Sequence, residues 1–329
     1  MKMFSPLAFA SIYGLTIRLL YGLLGDIMSI MSMSFFVLGP LAIGFLTVIF
    51  LPRKKWVSNS AAFFWPWITC LIILVITILV NIEGVICWVM AYPLFAVVSG
   101  LGGIIAKNVR KQKFVDIDDI ENLNKWTKPD KLTVSLVLLV PVLFGIGEGE
   151  RLLNRKDMTI AKSVIIHASP ANIWKSIATI NEITPAEKHT SLGTILGFPR
   201  HIKTTLDTFA IGGKRKAIYE KGLYFDETIS SYEPGKLLVL DIKTDPTKIP
   251  PTVMDEHIII GGKHVDILQD IYMLEQLPGG NCRLSLSSHF FINTAFNWYA
   301  SIWANYLMGD ILNGELELVK KRAVTIVTH

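Results

Sequence analysis

Five runs in the first 146 residues hold almost nothing but apolar side chains: 7–24, 30–51, 61–80, 85–106 and 132–146. A helix rises 1.5 Å per residue and the hydrocarbon core of a bilayer is about 30 Å thick, so some 20 such residues in succession are a membrane-crossing length. No folded water-soluble core of this size needs so many continuous apolar runs. The first half of the chain is therefore expected to be a transmembrane domain, residues 1–150, with about five helices. The last run is the shortest and contains Pro141; it is expected to span by drawing on 147–149 or by locally thinning the bilayer. A mean hydropathy of +0.45, with 51% apolar residues, agrees with membrane insertion.

Charge gives an orientation. The first 157 residues carry 15 Lys and Arg against 10 Asp and Glu, whereas the remainder carries 17 of each. All net basicity thus belongs to the membrane half, and the neutral second half offers no electrostatic case for nucleic acid. Lys2, Arg53, Lys54, Lys55 and the seven cations from Lys107 to Lys131 fall on one side of a five-span arrangement. The positive-inside rule makes that side cytoplasmic and puts everything after Glu148 outside, which in a bacterium is the periplasmic face of the inner membrane. If the last run did not span, the second half would lie in the cytoplasm. Arg18 is a lone cation deep in the first run and reads as a snorkelling or interfacial residue. Gly39 and Pro40, and Gly100, Gly102 and Gly103, read as kink and packing positions.

The second half alternates strands and helices. Ser169-Pro170 starts a short helix after a β-rich run at 160–167; strands are expected at 214–221, 223–232, 236–243, 264–275 and 282–291. Residues 293–322 read as one long helix, capped by Asn293 or Thr294, with Phe296, Tyr299, Ala300, Trp303, Leu307, Ile311 and Leu318 facing the sheet. On that face Trp303 is expected to point at the sheet. A helix lying across a curved antiparallel sheet buries all these faces.

The phrase from Ser163 through His167, Ala168, Ser169 and Pro170 to Trp174 resembles the opening of START-like (SRPBCC) domains, the superfamily of polyketide cyclases and lipid-transfer domains. The ending, with Ile311, Leu312, Glu315, Leu316, Lys320 and Arg322, resembles theirs too. The resemblance covers about half the chain and implies a helix-grip fold over 158–325, a curved antiparallel sheet around a long C-terminal helix, with a cavity between sheet and helix. It implies no particular reaction, because the superfamily mixes enzymes with binders.

Strand alternation nominates cavity residues. In the strand at 223–232, Leu223, Phe225 and Ile229 form an apolar row interrupted by Glu227; in that at 264–275, Val265, Ile267, Ile271 and Met273 are interrupted by Gln269. In the last strand Leu284, Leu286 and Phe290 share a face, with Arg283 and His289 opposite. A polar residue in an apolar row orients a ligand or pairs with a neighbour. Phe225, Glu227, Gln269, Tyr299, Trp303 and Arg200 are the ligand-binding candidates, and Glu227 is the catalytic candidate, since desolvation would raise its pKa into acid/base range. His257 and His264 lie near Asp255, Glu256 and Asp266, but Gly261-Gly262 between them reads as a turn, so no metal site is expected. The three cysteines make neither a metal motif nor a disulfide framework, and no cofactor is called for.

The expected function is a membrane-anchored START-like domain that binds a hydrophobic small molecule or lipid at the outer face of a bacterial inner membrane, the bilayer itself being a partner. A cyclase- or hydrolase-like enzyme using Glu227, or an envelope interaction module without a small ligand, are the alternatives. A membrane-protein partner or a homo-oligomer stays open.

Overall fold

The computed structural model describes residues 4–51, 58–115, 131–248 and 259–325. The chain divides into two compact units between Leu153 and Asn154.

The first unit is helical: α1 (Phe4–Leu23), a π-helical turn (Ser34–Leu38) running into α2 (Gly39–Ile49), α3 (Asn59–Leu79), α4 (Val85–Val115) and α5 (Lys131–Glu148). Among the described residues α1, α3, α4 and α5 are long and apolar enough to cross a membrane. The run expected to span at 30–51 instead yields a shorter apolar helix, Ser34–Ile49, because the chain before it folds into turns and the π-turn delays the regular helix to Gly39. Pro40 sits in the first turn of α2, directly after the π-helical turn, and supplies no N–H to the helical ladder at that junction.

α2 is the most buried of the five, and glycines let its neighbours reach it. A Cβ on Gly44 would lie 1.8 Å from the Ser99 carbonyl oxygen, and one on Gly102 would lie 2.1 Å from that of Leu41. Gly103 meets the Ala62 carbonyl oxygen of α3 in the same way, at 2.0 Å. These are backbone-to-backbone contacts that any side chain would force apart.

Polar side chains tie the helix ends. Arg18 of α1 is not left to snorkel: its Nε donates to Glu83, which lies between α3 and α4, with both side chains about nine-tenths buried. The Glu148 carboxylate at the end of α5 accepts from the backbone N–H of Met33 at 2.7 Å, that of Ser34 at 2.8 Å, and the Ser34 hydroxyl. At the other end Lys107 donates to Asn59 at 2.5 Å. Lys2, Arg53, Lys54, Lys55, Lys125 and Lys128 lie outside the described residues.

The second unit is a helix grip. Seven antiparallel strands, β1 (Asn154–Ile166), β2 (His201–Leu206), β3 (Lys214–Tyr219), β4 (Tyr224–Glu233), β5 (Leu237–Lys243), β6 (Val265–Leu277) and β7 (Asn281–Thr294), lie in the order β1-β7-β6-β5-β4-β3-β2. Helices α6 (Pro170–Ala178), α7 (Leu192–Ile195) and α8 (Asn297–Thr325) complete it. Strand β1 begins at Asn154, six residues before the expected run, and β2 was not expected at all.

The N-cap signal at Ser169 holds, its Oγ accepting from Asn172 N at 3.3 Å with Pro170 next in line. The β6–β7 hairpin closes through Gly279 and Gly280, both at positive φ (78° and 74°), which a side chain would strain.

Helix α8 starts three to four residues later than expected, because Asn293 and Thr294 remain paired with β1 as the end of β7. Thr294 still serves the turn, accepting from Phe296 N at 3.2 Å. The deepest row on α8 is Met308, Leu312, Leu316, Val319 and Ala323, preceded by Ala300 and Ala304. It packs on the inner face of the sheet and on Trp174 of α6 in one core with Leu238, Leu240, Tyr272, Leu284 and Phe290. Trp303 lies one position off this row, is partly buried and stands outside that core cluster.

Replacing Gly102 with Leu should separate α2 from α4. Overpacking a close contact costs about 1–3 kcal/mol and often more where backbone must move, so the detergent-solubilised chain should melt several degrees lower. An unchanged melting temperature would show that the approach is not tight.

Candidate functional site

The register of the sheet sets a charge inside it. Arg215 on β3 stands directly across from Glu227 on β4, and alternation turns both inward, leaving them 4% and 5% exposed. Arg215 Nη1 donates to Glu227 Oε2, and Nη2 donates to the Ile177 carbonyl of α6 at 3.5 Å. The same Nη2 lies 3.9 Å from Oε1 of Glu315, which α8 supplies from the row beside Leu312 and Leu316. Tyr272 on β6 donates its hydroxyl to Glu315 Oε1 at 3.5 Å.

Glu315 then reaches outward. Its Oε2 is 3.1 Å from His201 Nδ1, and His201 Nε2 is 2.8 Å from Thr204 Oγ1. The imidazole stacks on the Tyr219 ring at 4.9 Å and 21°, and Tyr219 rests edge-on against Phe225 at 5.3 Å. One chain of contacts therefore runs Glu227–Arg215–Glu315–His201.

Burial raises the Glu227 carboxyl above its ordinary pKa, with Arg215 pulling it back. Burial acts on Glu315 in the same sense, but His201 and Arg215 outweigh it and hold that carboxyl below its ordinary value. Burial, reinforced by Glu315, lifts the hydroxyls of Tyr219 and Tyr272 well above theirs. Asp270, also on β6, is pushed up to about 7 by burial, with Ser288 pulling it down and Glu227 adding to the rise. Burial thus wins at Glu227 and Asp270, whereas at Glu315 the combined pull of His201 and Arg215 wins.

His201, Tyr219 and Glu315 form the floor of a cleft with an empty volume of about 750 Å³, including the part open to solvent. Phe198, Leu307, Ile311, Leu318 and Ile183 line its walls, and Lys188, His189, Arg200 and Asp310 stand around it. The segment carrying α7 forms the wall opposite α8; α7 itself is held by a capping box between Ser191 and Thr194. The open space is therefore at the β2–β3 end of the grip, while the middle of the sheet–helix interface is filled by the core.

Of the expected site residues, Arg200 lines the cleft. Glu227 lies behind the floor, committed to Arg215, where it positions that cation and through it Glu315. Phe225 is buried in a small cluster with Leu223, Ala217, Ile242 and Ile260 and backs Tyr219. Tyr299 is half-buried and meets Trp298 edge-on at 5.6 Å.

Gln269 is a correction. A register shift in β6 between Ile267 and Gln269 inverts the faces, so that Ile267 opposes Phe290 but Asp270, Tyr272 and Leu274 oppose the inward Ser288, Leu286 and Leu284. Gln269 opposes His289 on the outer face and donates to Asp241 at 2.8 Å. Met273, expected inside, is 56% exposed.

Sequence reasoning missed Arg215, Glu315, Tyr219, Tyr272 and Asp270. Glu315 was the findable one, since it falls on the apolar row of α8. Among the described residues no group of three His, Cys, Asp or Glu could hold a metal; His257, Asp255 and Glu256 lie outside them.

No protein-family model matches the chain, and no curated protein matches it by sequence. Among solved structures it is similar to norcoclaurine synthase from Thalictrum flavum, 12% identical over 54% of this chain and 97% of that one, with a TM-score of 0.33. The Zhui aromatase/cyclase from Streptomyces sp. R1128 is 13% identical over 52% and 96%, with a TM-score of 0.34. A protein from Mesorhizobium loti is 15% identical over 50% and 98%, with a TM-score of 0.30.

Two outcomes test the buried network. Glu227→Gln strands the Arg215 charge and should cost about 3–5 kcal/mol in denaturant unfolding of the grip unit; a loss under ~1 kcal/mol would show that Glu315 alone suffices. Asp270 holds its proton up to about pH 7 in the native state against 3.8 as the ordinary value. Its contribution to stability is present below the lower value and is lost as pH rises through the higher one, with a slope of at most ~1.4 kcal/mol per pH unit. Asp270→Asn should therefore lose less stability than the wild type between pH 5 and pH 8. Parallel pH curves for the two would contradict this.

Proposed function

We propose that this is a membrane protein whose helix-grip unit binds a hydrophobic small molecule, a lipid or an envelope metabolite, in the cleft between the α7 segment, β2–β3 and α8. The carrying observation is the contrast between apolar walls, Phe198, Leu307, Ile311 and Leu318, and a hydrogen-bonding floor of Glu315, His201 and Tyr219. Such a cleft suits a molecule with an apolar body and one polar end. Among the described residues, four helices long and apolar enough to span support the membrane setting. The excess of Lys and Arg at 53–55 and 107–131 supports an orientation with the grip unit on the side opposite those cations, which in a bacterial inner membrane is the periplasmic side. Tethering beside a bilayer also raises the local concentration of lipid-derived ligands.

A second reading, an acid/base enzyme of cyclase or hydrolase type, is favoured by the His201–Glu315 pair at the floor of the cleft. In that reading Glu227 acts through Arg215 and not on the substrate.

Native mass spectrometry of the detergent-purified full chain should show a co-purifying adduct in the mass range of a lipid or small metabolite. Ile311→Trp, which fills the cleft from α8, should abolish the adduct while leaving the melting temperature within a few degrees. An adduct that persists at wild-type occupancy in this variant would refute the cleft as the site. An adduct recovered chemically altered after incubation would favour the enzyme.

A further inference from the structure

Helix α8 carries a second apolar row that is open to solvent. Trp298, Ile302 and Tyr306 are 62%, 60% and 48% exposed and stand four residues apart, so they form one continuous face along the first half of the helix. The row lies away from both the core face and the cleft face.

Its location within the grip unit is fixed by the start of β1. Asn297 donates its side-chain amide to the Asn154 carbonyl, and Lys156 Nζ donates to Ser301 Oγ at 2.8 Å. Farther along, Lys162 lies over Gly309, where a Cβ would meet its Cε at 3.0 Å. Two lysines of β1 thus flank the apolar row. Only residues 149–153 separate Glu148, the last residue of α5, from Asn154, a covalent reach of about 20 Å. If α5 ends at a bilayer face, the beginning of β1 and the α8 residues bonded to it stay within that distance of the headgroups.

We propose that the Trp298–Ile302–Tyr306 row seats the grip unit on an anionic bilayer surface, an inference that rests on the membrane reading of the helical unit. Trp and Tyr pair an apolar body with a polar tip and settle at headgroup depth, while Lys156 and Lys162 beside them face anionic lipid. Ile302 between them enters the acyl boundary.

The test uses the full chain in phosphatidylglycerol/phosphatidylcholine liposomes. Cys70, Cys87 and Cys282 are replaced by Ala, and a nitroxide is attached through Ile302→Cys or, as reference on the same helix, Glu317→Cys. Paramagnetic resonance then compares collisions with oxygen and with a water-soluble nickel chelate. The oxygen-to-nickel ratio at 302 should exceed that at 317 several-fold. In a chain that floats with the liposomes, a water-like ratio at 302 overturns the proposal and leaves the membrane reading standing. Failure to float overturns both. Spin–spin broadening at 302 would show a second copy on the row, and also overturns it. Tryptophan quenching by brominated lipid, as the difference between wild type and Trp298→Phe, gives the same reading with native cysteines: a difference of zero counts against the row.

Discussion

A guanidinium buried in a β-sheet has to be answered by carboxylates, and Arg215 organises much of the grip unit on that account. Glu227 answers it from the neighbouring strand and Glu315 from the long helix, so that β3, β4 and α8 are joined by charge as well as by apolar packing. Because Glu315 has a second oxygen to spare, the same device reaches His201 on the edge strand β2. The floor of the cleft is therefore the outward end of a structural solution to a buried cation. Its chemistry, an ionised carboxylate bonded to an imidazole, follows from that solution.

How far the fold could be read from sequence depended on where the ladders are regular. Leu223, Phe225, Glu227 and Ile229 are all buried, as simple alternation demands, because β3 and β4 pair through this stretch without a shift. Leu284, Leu286 and Phe290 likewise share the inner face, with Arg283 paired to Glu275 on the other. In β6 one irregularity after Ile267 exchanged the faces, and nothing in the composition of 264–275 marks it. Arg215 was hidden for a different reason: between Lys214 and Lys216 it looks like part of a solvated cationic run, and only its register with Glu227 reveals the burial. Strand β2 was missed because it is only six residues long and its pairing with β3 is irregular at its start, between His201 and Lys203.

The helical unit was legible as a material and less so as a set of lengths. Apolar runs identified α1, α3, α4 and α5, whereas the run at 30–51 conceals turns and a π-helical entry before α2. Glycines in the middle of α4 were readable as packing positions, and they meet the backbones of α2 and α3 as such positions must. The partner of Arg18 was not readable, since Glu83 lies 65 residues away in a short connection.

Glu148 has a consequence for the order in which the molecule is made. The backbone N–H groups of Met33 and Ser34 open the helical segment leading into α2, and an unanswered donor in an apolar setting is costly. Their acceptor is encoded 114 and 115 residues later, at the end of the last apolar helix. During synthesis that segment therefore waits, its donors unsatisfied by Glu148, until α5 has emerged. A chain truncated before residue 148 would leave the most buried helix of the unit without the carboxylate that completes it.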